Sequence, residues 1–146
     1  MTSHFPLAIA ILSTAGCSKP VGDRYIVPVA CRGWIRVDFG RAAASALPRE
    51  KGVRVIRIPK SGMTSTSDEV DERISVRHEY LDELGNTVST GGGMTTGTAA
   101  SCINGFCTGN LSIIQFVGGQ NASGEQIDSA GQPIIGLHCE HRPAGH

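Results

Sequence analysis

Residues 34–39 alternate strictly between apolar and polar side chains. Ile35, Val37 and Phe39 fall on one face of an extended strand, and Trp34, Arg36 and Asp38 on the other. Residues 74–80 alternate in the same way, with Ile74, Val76, His78 and Tyr80 sharing a face. Shorter strands are predicted over residues 25–29, where Pro28 favours a sheet edge or a strand end, over 53–58, ended by Pro59 and a Ser61-Gly62 turn, and over 134–139 after Pro133. Residues 111–117 are apolar on both faces, which predicts a strand in the middle of a sheet. Between these lie a turn at Cys31-Arg32-Gly33, a loop over 41–48, polar surface loops over 65–72 and 120–132, and a hairpin turn at 82–86 that returns the chain at Thr87-Val88. Residues 90–100, TGGGMTTGTAA, read as a low-complexity, mobile stretch. About seven short strands divided by turn signals predict an all-β fold, a compact β-sandwich.

Composition agrees. The 146 residues include 19 glycines and 7 prolines, which disfavour helix interiors, and the 18% charged content leaves room for one core. The formal net charge is zero but unevenly placed. Residues 19–60 carry ten basic side chains against three acidic ones, and residues 61–146 carry three against ten. Arg36, Arg54 and Arg57 read as the solvated faces of strands, so a fold that joins the two halves would cancel the imbalance. The alternative is a basic face turned towards anionic lipid. No basic cluster alternates with stacking aromatics, which argues against nucleic acid as a partner.

The first residues read as an address. Residues 5–16, FPLAIAILSTAG, are apolar and then small, too short to span a bilayer but suited to a signal-peptide core. Thr14-Ala15-Gly16-Cys17 resembles a bacterial lipobox, with Thr14 where Leu is usual. The resemblance implies cleavage before Cys17 and a diacylglyceryl group on its thiol. Residues 1–16 are then a lipoprotein-type signal peptide, 17–24 a short tether, 25–142 a single β-sandwich domain and 143–146 a tail. Ser18 after the cysteine resembles an outer-membrane sorting residue for a host with two membranes. The expected location is the cell envelope, lipid-anchored at Cys17, with a secreted or periplasmic protein as the alternative.

A second resemblance covers residues 25–119. Tyr25-Ile26-Val27-Pro28, Arg32-Gly33-Trp34-Ile35-Arg36-Val37, Leu47-Pro48-Arg49-Glu50 and Ile58-Pro59-Lys60-Ser61-Gly62 occur in order. They are followed by residues 79–86, EYLDELGN, and Ile114-Gln115-Phe116-Val117-Gly118. The order and spacing resemble a family of small bacterial lipoproteins built on a domain of unknown function. Residues 88–110 and the stretch after Gly119 depart from that pattern. The resemblance implies a fold and a location, with no activity to carry over.

With Cys17 assigned to lipid, Cys31, Cys102, Cys107 and Cys139 remain, and four cysteines in an exported chain predict two disulfides. Asn104-Gly105 is a strong two-residue hairpin turn, which would set Ile103 opposite Phe106 and Cys102 opposite Cys107 at a separation that suits a disulfide. Cys31 with Cys139 follows by elimination. Both pairs read as structural staples rather than redox centres, since no CxxC motif or helix N-terminus activates a thiol.

Other constellations are weaker. His138, Cys139, Glu140, His141 and His146 look metal-binding, but on a strand His138 and Glu140 face away from Cys139 and His141, so no metal site is expected. His78 on an apolar face predicts a half-buried histidine with a hydrogen-bond partner. Trp34 either anchors a ligand or packs under a loop. Asp68, Glu69, Asp71 and Glu72 read as a solvated run. Asn121-Ala122-Ser123 matches a glycosylation sequon by chance. No GxSxG elbow or phosphate loop is present, and Gly91-Gly92-Gly93 lacks the lysine a phosphate loop needs, so no cofactor is predicted. The expectation is a non-enzymatic envelope module for an unknown protein or ligand. An envelope hydrolase and a metal-handling protein using the C-terminal histidines are the alternatives. A pocket gathering His78 with carboxylates or a nucleophile would favour the hydrolase.

Overall fold

The computed structural model describes residues 19–119 and 124–140, and these form ten strands and no helix. They are β1 (Val21–Val27), β2 (Cys31–Phe39), β3 (Arg49–Glu50), β4 (Val53–Arg57), β5 (Met63–Ser65), β6 (Val70–Asp71), β7 (Arg77–Asp82), β8 (Thr90–Ile103), β9 (Phe106–Val117) and β10 (Gly136–Cys139). Two sheets result. Sheet A runs β3-β4-β1-β7, with β1 parallel to both β4 and β7. Sheet B runs β10-β2-β9-β6, with β8 also on β9 and β5 on β2. The fold is all-β, as the alternating pattern predicts.

One core joins the sheets. Tyr25, Val27 and Ile56 of sheet A meet Ile35, Val37, Phe39, Val70, Leu111 and Val117 of sheet B. Each large apolar side chain so buried contributes roughly 1.5–3 kcal/mol. A second, smaller cluster lies on the outer face of sheet B, where Trp34, Ile114 and Phe116 are covered by Ile127 and Ile135. Sheet B is therefore packed on both faces there, which is why β9 is apolar on both sides.

Several expectations need correction. The first strand begins at Val21, so residues 21–24, assigned to the tether, belong to the sheet. Of the two places open to Pro28 it takes the strand end, just past the last residue, so β1 loses no ladder hydrogen bond and is central in sheet A rather than an edge. Cys31-Arg32-Gly33 opens β2 instead of forming a turn; the turn falls earlier, at Ala30, whose φ is 58°. Ile74 does not share the inward face of β7 but protrudes from a turn before it. The polar loop over 65–72 includes β6 and buries Thr66, Val70 and Asp71. The Gly/Thr tract is not mobile coil but β8, a 14-residue strand laid along β9. Gly and Thr at these positions carry no apolar face, so periodicity cannot reveal a strand that is exposed over most of its length and held by its partner's ladder.

Arg54 is the largest correction. It is 4% exposed and faces the core, directly opposite the fully buried Asp23 on the neighbouring parallel strand. Its Nε and Nη2 donate to the two Asp23 carboxylate oxygens at 2.6 and 2.9 Å. Its Nη1 donates to the Glu69 carbonyl at 2.7 Å, on the approach to β6 of the other sheet. The guanidinium lies 5.7 Å from the centre of the Phe39 ring. Burial disfavours the charge, but the hydrogen bonds to Asp23 together with the charges of Asp23, Asp68 and Asp71 outweigh this and raise the Arg54 pKa.

Removing one member leaves a buried charge without a partner. Arg54→Met is expected to cost about 3–5 kcal/mol, read as a fall in the urea midpoint. The double change Asp23→Leu with Arg54→Met should recover most of that loss. Equal destabilisation of single and double variants would show that the pair is not what the single change breaks.

Candidate functional site

Parallel pairing sets three side chains in a row across sheet A: Arg54 on β4, Asp23 on β1 and His78 on β7. The next inward row is Ile56, Tyr25 and Tyr80. The Tyr25 and Tyr80 rings stack at 4.5 Å, and His78 meets Tyr25 edge-on at 6.3 Å. His78 Nδ1 stands 3.6 Å from Asp23 Oδ2, beyond hydrogen-bond reach, and that carboxylate is held by Arg54. Both His78 Nδ1 and the Tyr25 hydroxyl are buried without a hydrogen-bond partner. His78 is half-buried as expected, but among the described residues its Nδ1 lacks the partner expected for it.

These groups border a cleft of about 420 Å³ at the side of the sandwich where the edge strands β7 and β8 face each other. Tyr25, His78 and Tyr80 form one wall, Met94, Thr95, Ile113 and Gln115 the other, and Asp71 and Glu72 close one end. Its volume falls in the range of small-molecule sites. Asp71 is held by Arg73 through contacts of 2.9 and 2.7 Å. Burial would raise the Asp71 pKa, but the Arg73 side-chain and backbone hydrogen bonds outweigh it and hold the carboxyl below its usual range. Glu72 is the lining carboxylate outside any ion pair among the described residues.

The cleft therefore gathers His78 with carboxylates, the arrangement that would favour a hydrolase, but without an activated nucleophile. Among the described residues no hydroxyl or thiol hydrogen-bonds to His78, and both Asp23 and Asp71 are engaged by arginines. The expected solvated run holds for the exposed side chains of Glu69 and Glu72, while Asp68 and Asp71 are structural. Asp68 accepts the Leu47 amide at 2.6 Å and ties down the loop over 41–48, and the Glu69 carbonyl serves Arg54. No three metal-ligating side chains converge among the described residues.

Trp34 packs under a loop, its Nε1 donating to the Glu125 carbonyl at 3.0 Å while Arg32 pairs with the Glu125 carboxylate. Asn104 and Gly105 have φ values of 52° and 81°, the pattern of a tight hairpin turn, and the register sets Ile103 opposite Phe106 and Cys102 opposite Cys107. Cys102 and Cys107 have Cα atoms 4.1 Å apart and sulfurs at disulfide distance. Cys31 and Cys139 face each other across β2 and β10 with Cα atoms 3.9 Å apart, their sulfurs likewise placed. Cys17, His141, His146 and the sequon at Asn121 lie outside the described residues. Sequence reasoning missed Asp23, Tyr25 and Arg54. The signal was there for two of them: extending the alternation of β1 upstream places Asp23 on one face with Tyr25 and Val27.

An all-β two-sheet domain with a lateral polar cleft is thus the class this chain presents. The chain belongs to a family of unknown function, DUF6843, whose model matches residues 20–128. A crystal structure named "Putative Lipoprotein from Bacillus anthracis" is similar at 14% identity and a TM-score of 0.45, covering 86% of this chain and 87% of that one. No curated protein matches the sequence.

Tyr25 and Tyr80 are the only tyrosines of the chain. Burial, with the Tyr80 and Asp23 charges beside it, pushes the Tyr25 phenol well above its ordinary value, and burial does the same to Tyr80. An unfolded chain loses these protons near pH 10, before the folded one, so the stability tied to them is present below about pH 10 and is lost as pH rises above it. Tyrosinate absorbance is expected to grow together with the loss of β circular dichroism. Ionisation of both phenols near pH 10 in a chain that is still folded would contradict their burial.

Proposed function

We propose that this protein is a bacterial cell-envelope lipoprotein anchored through Cys17, with its β-sandwich acting as a binding module rather than an enzyme. The anchor rests on the apolar run over 5–16, the small residues before Cys17, and the start of β1 at Val21, only four residues further on. That spacing spans at most about 14 Å, so an acyl group on Cys17 would hold the domain against the bilayer surface. Two cysteine pairs at disulfide distance suit an oxidising compartment.

The observation that carries the binding reading is the cleft. Beneath its wall lie two buried polar groups without partners among the described residues, the Tyr25 hydroxyl and His78 Nδ1, which a ligand reaching them would satisfy. An envelope hydrolase is the second reading, favoured by the placement of His78 beside Asp23.

Native protein from the membrane fraction is expected to have the mass of a chain beginning at Cys17 plus acyl groups, and to gain the hydrogens of two disulfides on reduction. A soluble chain without lipid would remove the anchor. A screen against model esters, peptides and glycosides should show no turnover. Turnover that disappears in His78→Ala would replace the binding module with the hydrolase.

A further inference from the structure

Beyond anchoring, and resting on the lipid at Cys17 proposed above, we infer that the end of the sandwich where β1 begins is a membrane-seated surface, with Ile74 and Ile103 entering the interfacial layer of an anionic bilayer. Chain direction fixes which end this is. The Arg77 amide donates to the Pro20 carbonyl at 3.0 Å and Arg77 Nε to the Lys19 carbonyl at 3.1 Å, so the segment leading back to Cys17 leaves from the start of β7. Cys17 is two residues from Lys19, a reach of at most about 7 Å. A lipid on that thiol therefore brings this end, and no other, to the headgroups.

Two turns project from the same end. One follows β6 and carries Ile74, 88% exposed, the most exposed of the large apolar side chains described; the other is the β8–β9 hairpin tip, with Ile103 69% exposed. They are neighbours: the Glu72 amide donates to the Gly105 carbonyl at 2.7 Å, and the Arg73 guanidinium lies 4.3 Å from the centre of the Phe106 ring. Arg49, Gly52, Arg73 and Phe106 border one depression with Pro20 and Val21, which places the β3–β4 turn at this end as well. Five basic residues thus gather there: Lys19, Arg49, Lys51, Arg73 and Arg77. The acidic residues are fewer. Asp71 is buried against Arg73 and offsets its charge, Glu50 stands 4.0 and 3.9 Å from Arg24 and Arg57, and the exposed Glu72 borders both the cleft and the hollow it shares with Ile74 and Gly105.

Protruding aliphatic tips ringed by Lys and Arg match a bilayer with anionic headgroups: the tips enter the apolar boundary and the cations remain among the phosphates. Leu84, exposed in the turn after β7, stands at the far end of sheet A and has no such ring.

The test is hydrogen exchange on the full acylated protein, in vesicles of phosphatidylcholine with phosphatidylglycerol and in neutral detergent. Amides 73–76 and 103–106 are expected to exchange several-fold more slowly on the vesicles, while those around Leu84 do not change. Ile74→Ser with Ile103→Ser should abolish that protection without altering the lipid mass or the circular dichroism. Acylated protein with equal exchange in both settings overturns the surface and leaves the anchor standing. A chain that carries no lipid yet shows protection on the anionic vesicles overturns the anchor and keeps the surface.

Discussion

The contact between Arg54 and Asp23 is the constraint on which the rest of the molecule depends. A buried ion pair adds little net stability, because desolvation of two charges offsets most of their attraction. What it does set is register. Asp23 stands opposite Arg54 on a parallel neighbour, and sliding either strand by one residue would turn one charge outward and leave the other buried alone. The same guanidinium reaches the Glu69 carbonyl and so fixes sheet A against the segment leading into β6. Once β1 is in place, β7 can bring His78 beside Asp23 and Tyr80 beside Tyr25, and the cleft follows from that alignment.

The alignment also leaves two polar groups bordering the cleft without partners among the described residues. Arg54 holds Asp23 through both oxygens, and the histidine beside it stands 3.6 Å from that carboxylate, too far to bond. Tyr25 stacks on Tyr80 and lies almost wholly beneath the surface, its hydroxyl facing neither a carbonyl nor a carboxylate close enough to bond. A sheet can be fully bonded along its backbone and still leave such groups over where its side-chain rows meet a cleft.

Much of the β architecture was legible from local pattern. The alternation of β2, the double-sided apolarity of β9 and the Asn104-Gly105 turn each act within a few residues, and each was read correctly. The errors share a cause of a different range. Arg54 sits in the run Val53-Arg54-Val55-Ile56-Arg57, which gives no local hint of Asp23, 31 residues earlier. The β8 tract has no face of its own and takes its conformation from β9. Ile74 continues the alternation of β7 on paper, but the chain turns first. The uneven charge of the two halves is cancelled only in part, through Arg24 with Glu79 and Arg32 with Glu125, while the other ion pairs form within a half. Of the candidate site, His78 was legible; the cleft around it was not, because its walls come from both sheets.

The parallel placement of β1 has a consequence for the order in which the structure can form. Both neighbours of β1 lie downstream, Arg54 31 residues and Glu79 55 residues beyond their partners on it. Of the neighbours of β2, only the three-residue β5 comes earlier than β7; β9 and β10 come later still, and Cys31 meets Cys139 across a separation of 108 residues. A chain emerging from its amino end thus offers β1 one neighbour, β4, and β2 only the three-residue β5 before β7, β9 and β10 follow. Such long-range closure is slow compared with the local closure of hairpins. Completion of both sheets therefore waits on strands far along the chain.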